Sequence, residues 1–341
     1  MSATDRQPSQ MPPSAQLMQF IWPGAMAAQA IYTAANLGIA DLLAEKQRTA
    51  QELALATGCD SLSLHRLLRA LTSLGIFEQT ATGAFRNTAL SETLRRDIPG
   101  SMAAWALFLG APFNWRLWGN LEETVRTGTP AASRVYGKSF WEHLAENPAD
   151  AEVFNGAMSS GSQMSASAIV SAYDFSAFKR IVDVGGGHGA LLHAILSAAP
   201  QLTGVLYDLP EVVANAHILK SSAVAGRAEI IGGSFFDHVP PADAYILQGV
   251  IHDWNDIDAM AILKNCRRSI TAGGKLLIST TILKSSGEPD RGSFMDIYMM
   301  LGGGRERTEA ELRTLLADSG FSLKRVIPTS FSPFILESEP A

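Results

Sequence analysis

"VDVGGGHGALL" (Val182–Leu192) decides the fold. A β-branched run stops at a cluster of glycines, and an Ala/Leu-rich stretch follows. Glycine lacks a Cβ, so it permits a tight turn and lets the backbone pass close to a ligand. The stretch predicts a strand turning directly into a helix, "ALLHAILSAAP". The spacing Gly185-x-Gly187-x-Gly189 departs from the G-x-G-x-x-G of dinucleotide binders, and by itself it also fits an ordinary strand-to-helix turn.

The same rhythm continues downstream. "LTGVLYDLP" predicts a strand and "EVVANAHILKS" a helix; "AEIIGGSFF" and "AYILQGVIHD" predict strands. Then come "DAMAILKNCRRSI" (helix), "GKLLISTTIL" (strand), "TEAELRTLLADSG" (helix) and "FSLKRVIPTSFSPFILESE" (a closing pair of strands). Such alternation predicts an α/β Rossmann-like domain, a mostly parallel sheet with helices on both faces. Ligands of these sheets bind beyond the carboxyl ends of the strands.

Upstream the chain reads as helical. Met26–Glu45 has apolar residues at helical spacing. "TAQELALATG" opens with Thr49 and has Glu52 three residues on, a capping box, and Gly58 ends that helix. In "CDSLSLHRLLRALTSLG", Asp60 or Ser61 caps, Leu62, Leu67, Leu68 and Leu71 form the apolar side, and Gly75 stops the helix. "IFEQTATGAFRNT" predicts a hairpin around Thr82-Gly83. Helix, turn, helix, hairpin is a winged-helix pattern. Winged helices often bind DNA, but residues 1–100 hold 8 Lys/Arg against 8 Asp/Glu. A DNA reader needs a basic excess to exchange for counterions. Packing or dimerisation fits better, with the apolar Leu17–Leu43 segment suited to a partner chain. The expected organisation is a disordered tail (1–16), a winged-helix-like dimerisation domain (17–110), and an aromatic-rich helical linker plus the α/β domain (111–341).

Bulk properties agree. The 341 residues are 47% hydrophobic and 18% charged, with net charge -6 and pI about 5.7. An acidic balance argues against nucleic acid as the main partner. Cys59 and Cys266 form neither a disulfide framework nor a zinc spacing, so no metal site is expected and a reduced, cytoplasmic location fits. The first residues lack the basic end and apolar core of a signal peptide. No apolar run reaches the ~18 residues that a membrane span needs.

The strand ends carry the chemistry. Asp208 closes the second strand about 20 residues past the glycines, where an acid can accept bonds from both hydroxyls of a ribose. In "GGSFF", Ser234 and Phe235 can hold the edge and cover the face of an adenine, next to Gly233. The fourth strand ends in "GVIHDWND" (Gly249–Asp256), which brings His252 and Asp253 to the lip of the same cleft. Together these imply a nucleoside-containing cofactor and a functional histidine at its cleft. A nicotinamide cofactor would also use Asp208, though the glycine spacing disfavours it.

The motifs "VDVGGGHG", "YDLPEV", "GGSFF", "HDWND", "FNGAMSSGS" and "GGGRERTEAEL" resemble those of the plant-type, class II small-molecule O-methyltransferases and their bacterial relatives. The resemblance runs from about residue 17 to the end, and "HDWND" with "GGRERT" is its most specific part. It implies S-adenosylmethionine as cofactor, a small aromatic or polyketide-like acceptor, and a homodimer with interlocked N-terminal domains. It implies that Gly185 and Gly187 lie under the cofactor's amino-acid end, and that Asp208 takes the ribose. Gly233, Ser234 and Phe235 would surround the adenine, with Ser-Phe in place of the usual Asp-Met. Gln248 falls where plant members have Lys, and would also contact the cofactor. His252 falls on the general base with Asp253 beside it, Glu306 on one of two flanking acids, and Phe154 and Met158 on acceptor-pocket positions. Thr280 stands where the second acid is expected.

With one acid fewer, the histidine has less support as a base. That points to a relatively acidic acceptor group, such as an electron-poor phenol, an enol or a heteroaromatic hydroxyl. Three alternatives remain at this level: a cofactor-binding enzyme of the same fold that does not methylate, a winged-helix regulator that senses a small molecule, and a nicotinamide oxidoreductase.

Overall fold

A computed structural model describes residues 11–221, 223–285, 287, 289–290, 292–330 and 333–341. The chain forms two compact units, divided in sequence between Trp115 and Arg116. None of the helices among the described residues is long and apolar enough to cross a membrane.

In the first unit, the expected tail is partly helical. Residues 1–10 lie outside the described residues, but Pro13–Ile21 is a helix. Proline is suited to the first helical turn because its missing N–H has no intrahelical partner there. This helix buries none of its residues within the chain: Leu17, Met18, Phe20 and Ile21 are exposed, Phe20 at 81%. The single helix expected over Met26–Glu45 is two, Gly24–Asn36 and Ile39–Leu42, because Gly38 adopts a left-handed φ of 65° between them. Thr49 and Glu52 form the capping box of Ala50–Thr57, and Gly58 ends it. Asp60 caps Ser61–Ser73, whose buried stripe is Leu64, Leu68 and Leu71. Leu62, expected on that stripe, is 69% exposed, since it falls outside the i, i+4, i+7 spacing. The hairpin pairs β1 (Phe77–Gln79) with β2 (Phe85–Asn87), and Phe77 and Phe85 enter the core.

The second unit begins with short helices, including Leu121–Thr127, Ala131–Tyr136 and Phe140–Glu146, and the long helix Pro148–Ala172. Then come β3 (Arg180–Val184), β4 (Thr203–Asp208), β5 (Ala228–Gly232), β6 (Ala242–Gln248), β7 (Ile270–Thr280), β8 (Ile282–Leu283), β9 (Arg307–Thr308), β10 (Phe321–Ile327) and β11 (Phe334–Pro340). The main sheet has the order β10-β11-β7-β6-β3-β4-β5. β5, β4, β3, β6 and β7 are mutually parallel, and β11 runs antiparallel to both its neighbours. From β3 the chain builds outward through β4 and β5, then returns to lay β6 on β3's other side. The switch point of the sheet therefore lies between β3 and β6, and ligands of open α/β sheets bind beyond the carboxyl ends of the strands at such a point.

Successive residues of β6 enter opposite cores: Tyr245 and Leu247 join Val182, Val184 and Leu276, while Ala244 and Ile246 join Ile181, Leu206 and Leu277. A parallel strand buried on both faces has this continuous apolar run. Two expectations need correction. "EVVANAHILKS" is not one helix but two short ones, Pro210–Val213 and His217–Lys220, because Ala216 leaves the helical region at ψ 54°. The strand expected through Asp253 stops at Gln248; Gly249 turns with φ 64°, and Ile251–Asp253 is a single 3₁₀ turn.

Candidate active site

The turn after β3 is shaped by close approach. Gly185, Gly187 and Gly189 have φ of 69°, 58° and 84°. A Cβ at Gly185 would lie 2.7 Å from Val250, and one at Gly189 would lie 2.6 Å from Leu219. Asp208, at the end of β4, accepts the Gly187 N–H at 2.8 Å and the Leu209 N–H at 2.7 Å. Burial raises its pKa, and those two bonds oppose the rise. Behind the turn sits Asp183, which the sequence reading did not single out. It is buried, and neither carboxylate oxygen has a hydrogen-bond partner. Burial first and the Asp208 charge second push its pKa to about 7. The one signal for it was an acid inside an apolar strand.

The loop after β5 is held from behind. The buried Asn265 donates to the carbonyls of Phe235 and Phe236 at 2.7 and 2.8 Å. The Tyr207 hydroxyl donates to the Ser234 carbonyl at 3.1 Å, and a Cβ at Gly233 would fall 2.4 Å from that hydroxyl. Ser234 Oγ accepts the Phe236 N–H at 3.2 Å. Phe235 packs against Trp254 with ring centroids 6.0 Å apart. Gln248, at the end of β6, turns towards the long helix, where Ser162 and Ser165 engage both ends of its amide.

His252 lies on the 3₁₀ turn after β6. Its Nδ1 is 2.8 Å from Glu306 Oε1, and its Nε2 is 3.6 Å from Asp253 Oδ1, too far for a hydrogen bond. Glu306 is 2% exposed, and its second oxygen has no partner. Burial pulls the imidazole pKa down. The Asp253 charge, the bond and charge of Glu306, and a backbone bond at Gly249 outweigh it and bring the ring to about 9. Asp253 rises to about 6, through burial and the Glu306 charge against the pull of His252. Thr280 is buried and uncharged at the end of β7.

"GGGRERT" explains how Glu306 reaches the ring. A Cβ at Gly304 would lie 2.2 Å from the His252 carbonyl oxygen, so only glycine lets the two backbones meet. The Arg305 N–H then donates to that carbonyl at 2.8 Å. Arg307, 2% exposed, donates to the carbonyls of Ile251 and Trp254 at 2.9 and 2.8 Å and to Asp256 at 2.9 Å. It clamps the His252 turn from both sides, a role sequence reasoning missed because Ile251, Trp254 and Asp256 are distant in the chain. Thr308 caps the helix Glu309–Asp318, which anchors the segment.

Phe154 belongs to an aromatic chain. It meets Phe140 at 5.7 Å and Trp141 at 5.5 Å, and Trp141 stacks on Trp254 at 5.7 Å. Trp141 was also missed; it is brought in by the helix Phe140–Glu146, which Ser139 and Glu142 cap. Met158 is half-buried one turn beyond Phe154 on the long helix.

Comparison with known proteins identifies the arrangement. Residues 118–322 match the O-methyltransferase domain, and residues 21–97 match the O-methyltransferase dimerisation domain. The chain is 41% identical over 333 residues to phenazine O-methyltransferase PhzM of Lysobacter antibioticus, covering 97% of each. It is 38% identical to the mitomycin biosynthesis 6-O-methyltransferase of Streptomyces lavendulae, covering 92% of this chain and 90% of the relative. The solved structure of the O-methyltransferase NcsB1 from neocarzinostatin biosynthesis, in complex with S-adenosylmethionine and 2-hydroxy-5-methyl naphthoic acid, superposes with a TM-score of 0.79 at 34% identity, over 92% of this chain and 96% of that one. The chain therefore belongs to the plant-type, class II family of S-adenosylmethionine-dependent O-methyltransferases.

Proposed function

We propose that the acceptor is a small aromatic or polyketide-like metabolite with an acidic hydroxyl, and that His252 handles its proton. The observation that carries this is the 2.8 Å bond from His252 Nδ1 to Glu306 beside the strand ends at the switch point, which turns Nε2 away from Glu306.

The residues present fit the cofactor. Gly185 and Gly187 give the close backbone approach, Asp208 is fixed for hydroxyl recognition, and Gly233, Ser234 and Phe235 would hold the adenine. Asp183 and Asp208 are acids whose pKa values burial raises. A cation nearby would favour their charged forms, which matches a sulfonium and ammonium ligand. When bound, S-adenosylmethionine supplies an activated methyl group; the protein aligns the acceptor and manages its proton.

In the neutral form, His252 Nε2 accepts a hydroxyl proton while Glu306 stabilises the imidazolium. With its pKa at about 9, the ring is mostly protonated at neutral pH. An ordinary phenol, of pKa near ~10, would then wait on a scarce neutral ring. An acidic hydroxyl arrives as its anion and pairs with the imidazolium. The acceptors in the names of PhzM and the NcsB1 complex, a phenazine and a naphthoic acid, support this class. Trp141, Trp254 and Phe154 supply flat faces for a planar ring, with Met158 beyond. Incubating the enzyme with S-adenosylmethionine and hydroxyphenazines and hydroxynaphthoates of graded pKa tests the reading by mass spectrometry. Rates should fall steeply as hydroxyl pKa rises; a flat series would refute it.

The exposed apolar helix Pro13–Ile21 and the matched dimerisation domain support a homodimer built on the N-terminal unit. The balanced charge of residues 1–100 supports protein packing there rather than DNA binding. The free cysteines Cys59 and Cys266 support a cytoplasmic location.

A further inference from the structure

The long helix Pro148–Ala172 carries Phe154 and Met158. Positions 154, 158, 162 and 165 are three or four residues apart and so share one face. Beyond Met158 that face is polar and bonded. Ser162 Oγ donates to Gln248 Oε1 at 2.8 Å, and Gln248 Nε2 donates to Ser165 Oγ at 2.5 Å. Gln248 is the last residue of β6. A third bond, of 3.0 Å, joins Ser159 Oγ to Nδ1 of His188, which sits between Gly187 and Gly189 in the turn after β3. One helix is thus bonded to both strand ends that flank the switch point.

Burial lowers the His188 pKa, and His217 acts in the same direction, so the ring is neutral at pH 7 and its bond to Ser159 is a neutral one. Its Nε2 is buried without a hydrogen-bond partner. The carbonyl and amide of Gln248 both face the helix.

We propose that Ser159, Ser162 and Ser165, through His188 and Gln248, form a polar latch that couples the cofactor-side strand ends to the acceptor wall. Gln248 and His188 are then positioning residues for the acceptor. The proposal rests on reading Phe154 and Met158 as that wall. Order imposed on the glycine turn restrains the helix through the latch, and a restrained helix presents one setting of the wall. Binding on one side thereby changes the freedom left to lose on the other.

Amide hydrogen exchange of the full-length protein, with and without S-adenosylhomocysteine, tests this. The ligand should slow exchange across residues 154–165 by about 5-fold or more, the lower end of common site-to-site couplings. In Ser159→Ala combined with Ser162→Ala the slowing should be largely lost, while the calorimetric Kd for S-adenosylhomocysteine stays within about tenfold, or ~1.4 kcal/mol. Slowing that persists in the double variant overturns the latch. So does wild-type binding without slowing. A larger loss of affinity would mean that the serines shape the cofactor site itself and would overturn it too. Should the double variant misfold, Ser159→Ala and Ser162→Ala each remove one bond and should each reduce the slowing in part; full slowing in both overturns the latch. Exchange is read without acceptor, so failure of the wall reading is separate: it would show as an unchanged KM for a hydroxyphenazine in Met158→Ala.

Discussion

His252 Nδ1 and Glu306 Oε1 are 2.8 Å apart, and the Glu306 side chain has no access to solvent. The bond fixes which face of the imidazole Glu306 holds and leaves Nε2 for the acceptor. With an acceptor whose hydroxyl stays protonated at the assay pH, His252→Ala should therefore lower kcat by ~10²–10⁴-fold, the usual contribution of a positioned base. The Kd for S-adenosylhomocysteine should stay near the wild-type value by calorimetry. Near-normal turnover of such an acceptor would mean that His252 is not the base.

Glu306→Gln removes a charge that raises the His252 pKa. For an acceptor that stays protonated, the rate depends on neutral imidazole, so the limb of kcat/KM that rises with pH should lie near pH 9. In the variant it should shift towards the ordinary histidine value of ~6.5. A pH–rate profile that does not move would remove Glu306 from the mechanism.

Asp183 is a buried acid whose pKa is raised to about 7. A raised carboxyl favours folding below its unfolded pKa of ~3.9 and loses that contribution as pH climbs through the folded value. The ligand-free protein should therefore lose stability between about pH 4 and pH 7 on this account. Asp183→Asn should raise the Tm at pH 8 and flatten that slope. It should also weaken S-adenosylhomocysteine binding, since a cation-bearing ligand loses a favourable charge. Thermal unfolding with and without ligand reads both effects.

Arg307→Lys keeps the charge but loses the fork that reaches Ile251 and Trp254. Each buried carbonyl left without a partner costs ~1–3 kcal/mol. Denaturant unfolding should show a loss in that range, and kcat should fall more than KM rises, because the turn carrying His252 is freed.

Gly304→Ala and Gly302→Ala make a matched pair. The first places a Cβ 2.2 Å from the His252 carbonyl oxygen; the second meets nothing within 4 Å. The first should lower both Tm and kcat, and the second should leave both close to wild type.

The parts that were legible in the sequence are those set by local chemistry. The glycine turn, the Thr49–Glu52 box, the β1–β2 hairpin and the order of strands and helices all follow from spacing along the chain. Asp208 and His252 were legible because strand ends of a parallel sheet converge. The rest depends on partners far away in the chain. Nothing near Arg307 announces that Ile251 and Trp254 need donors, and nothing near Trp141 announces Trp254. The breaks at Gly38 and Ala216 are single-residue dihedral changes inside stretches that still have helical spacing. Leu62 looked apolar enough for the core but lies off its stripe.

The lateral order of the sheet has a consequence for how the enzyme matures. β6 lies against β3, yet β4 and β5 separate them in the chain. The glycine turn and the His252 turn therefore become neighbours only when a non-local pairing closes, and such pairings are slow because the intervening loop must be ordered first. Until then each half of the crevice exists without the other. The base can therefore meet the cofactor only once β6 has closed on β3, so recovery of turnover during refolding should mark the completion of the sheet rather than its beginning.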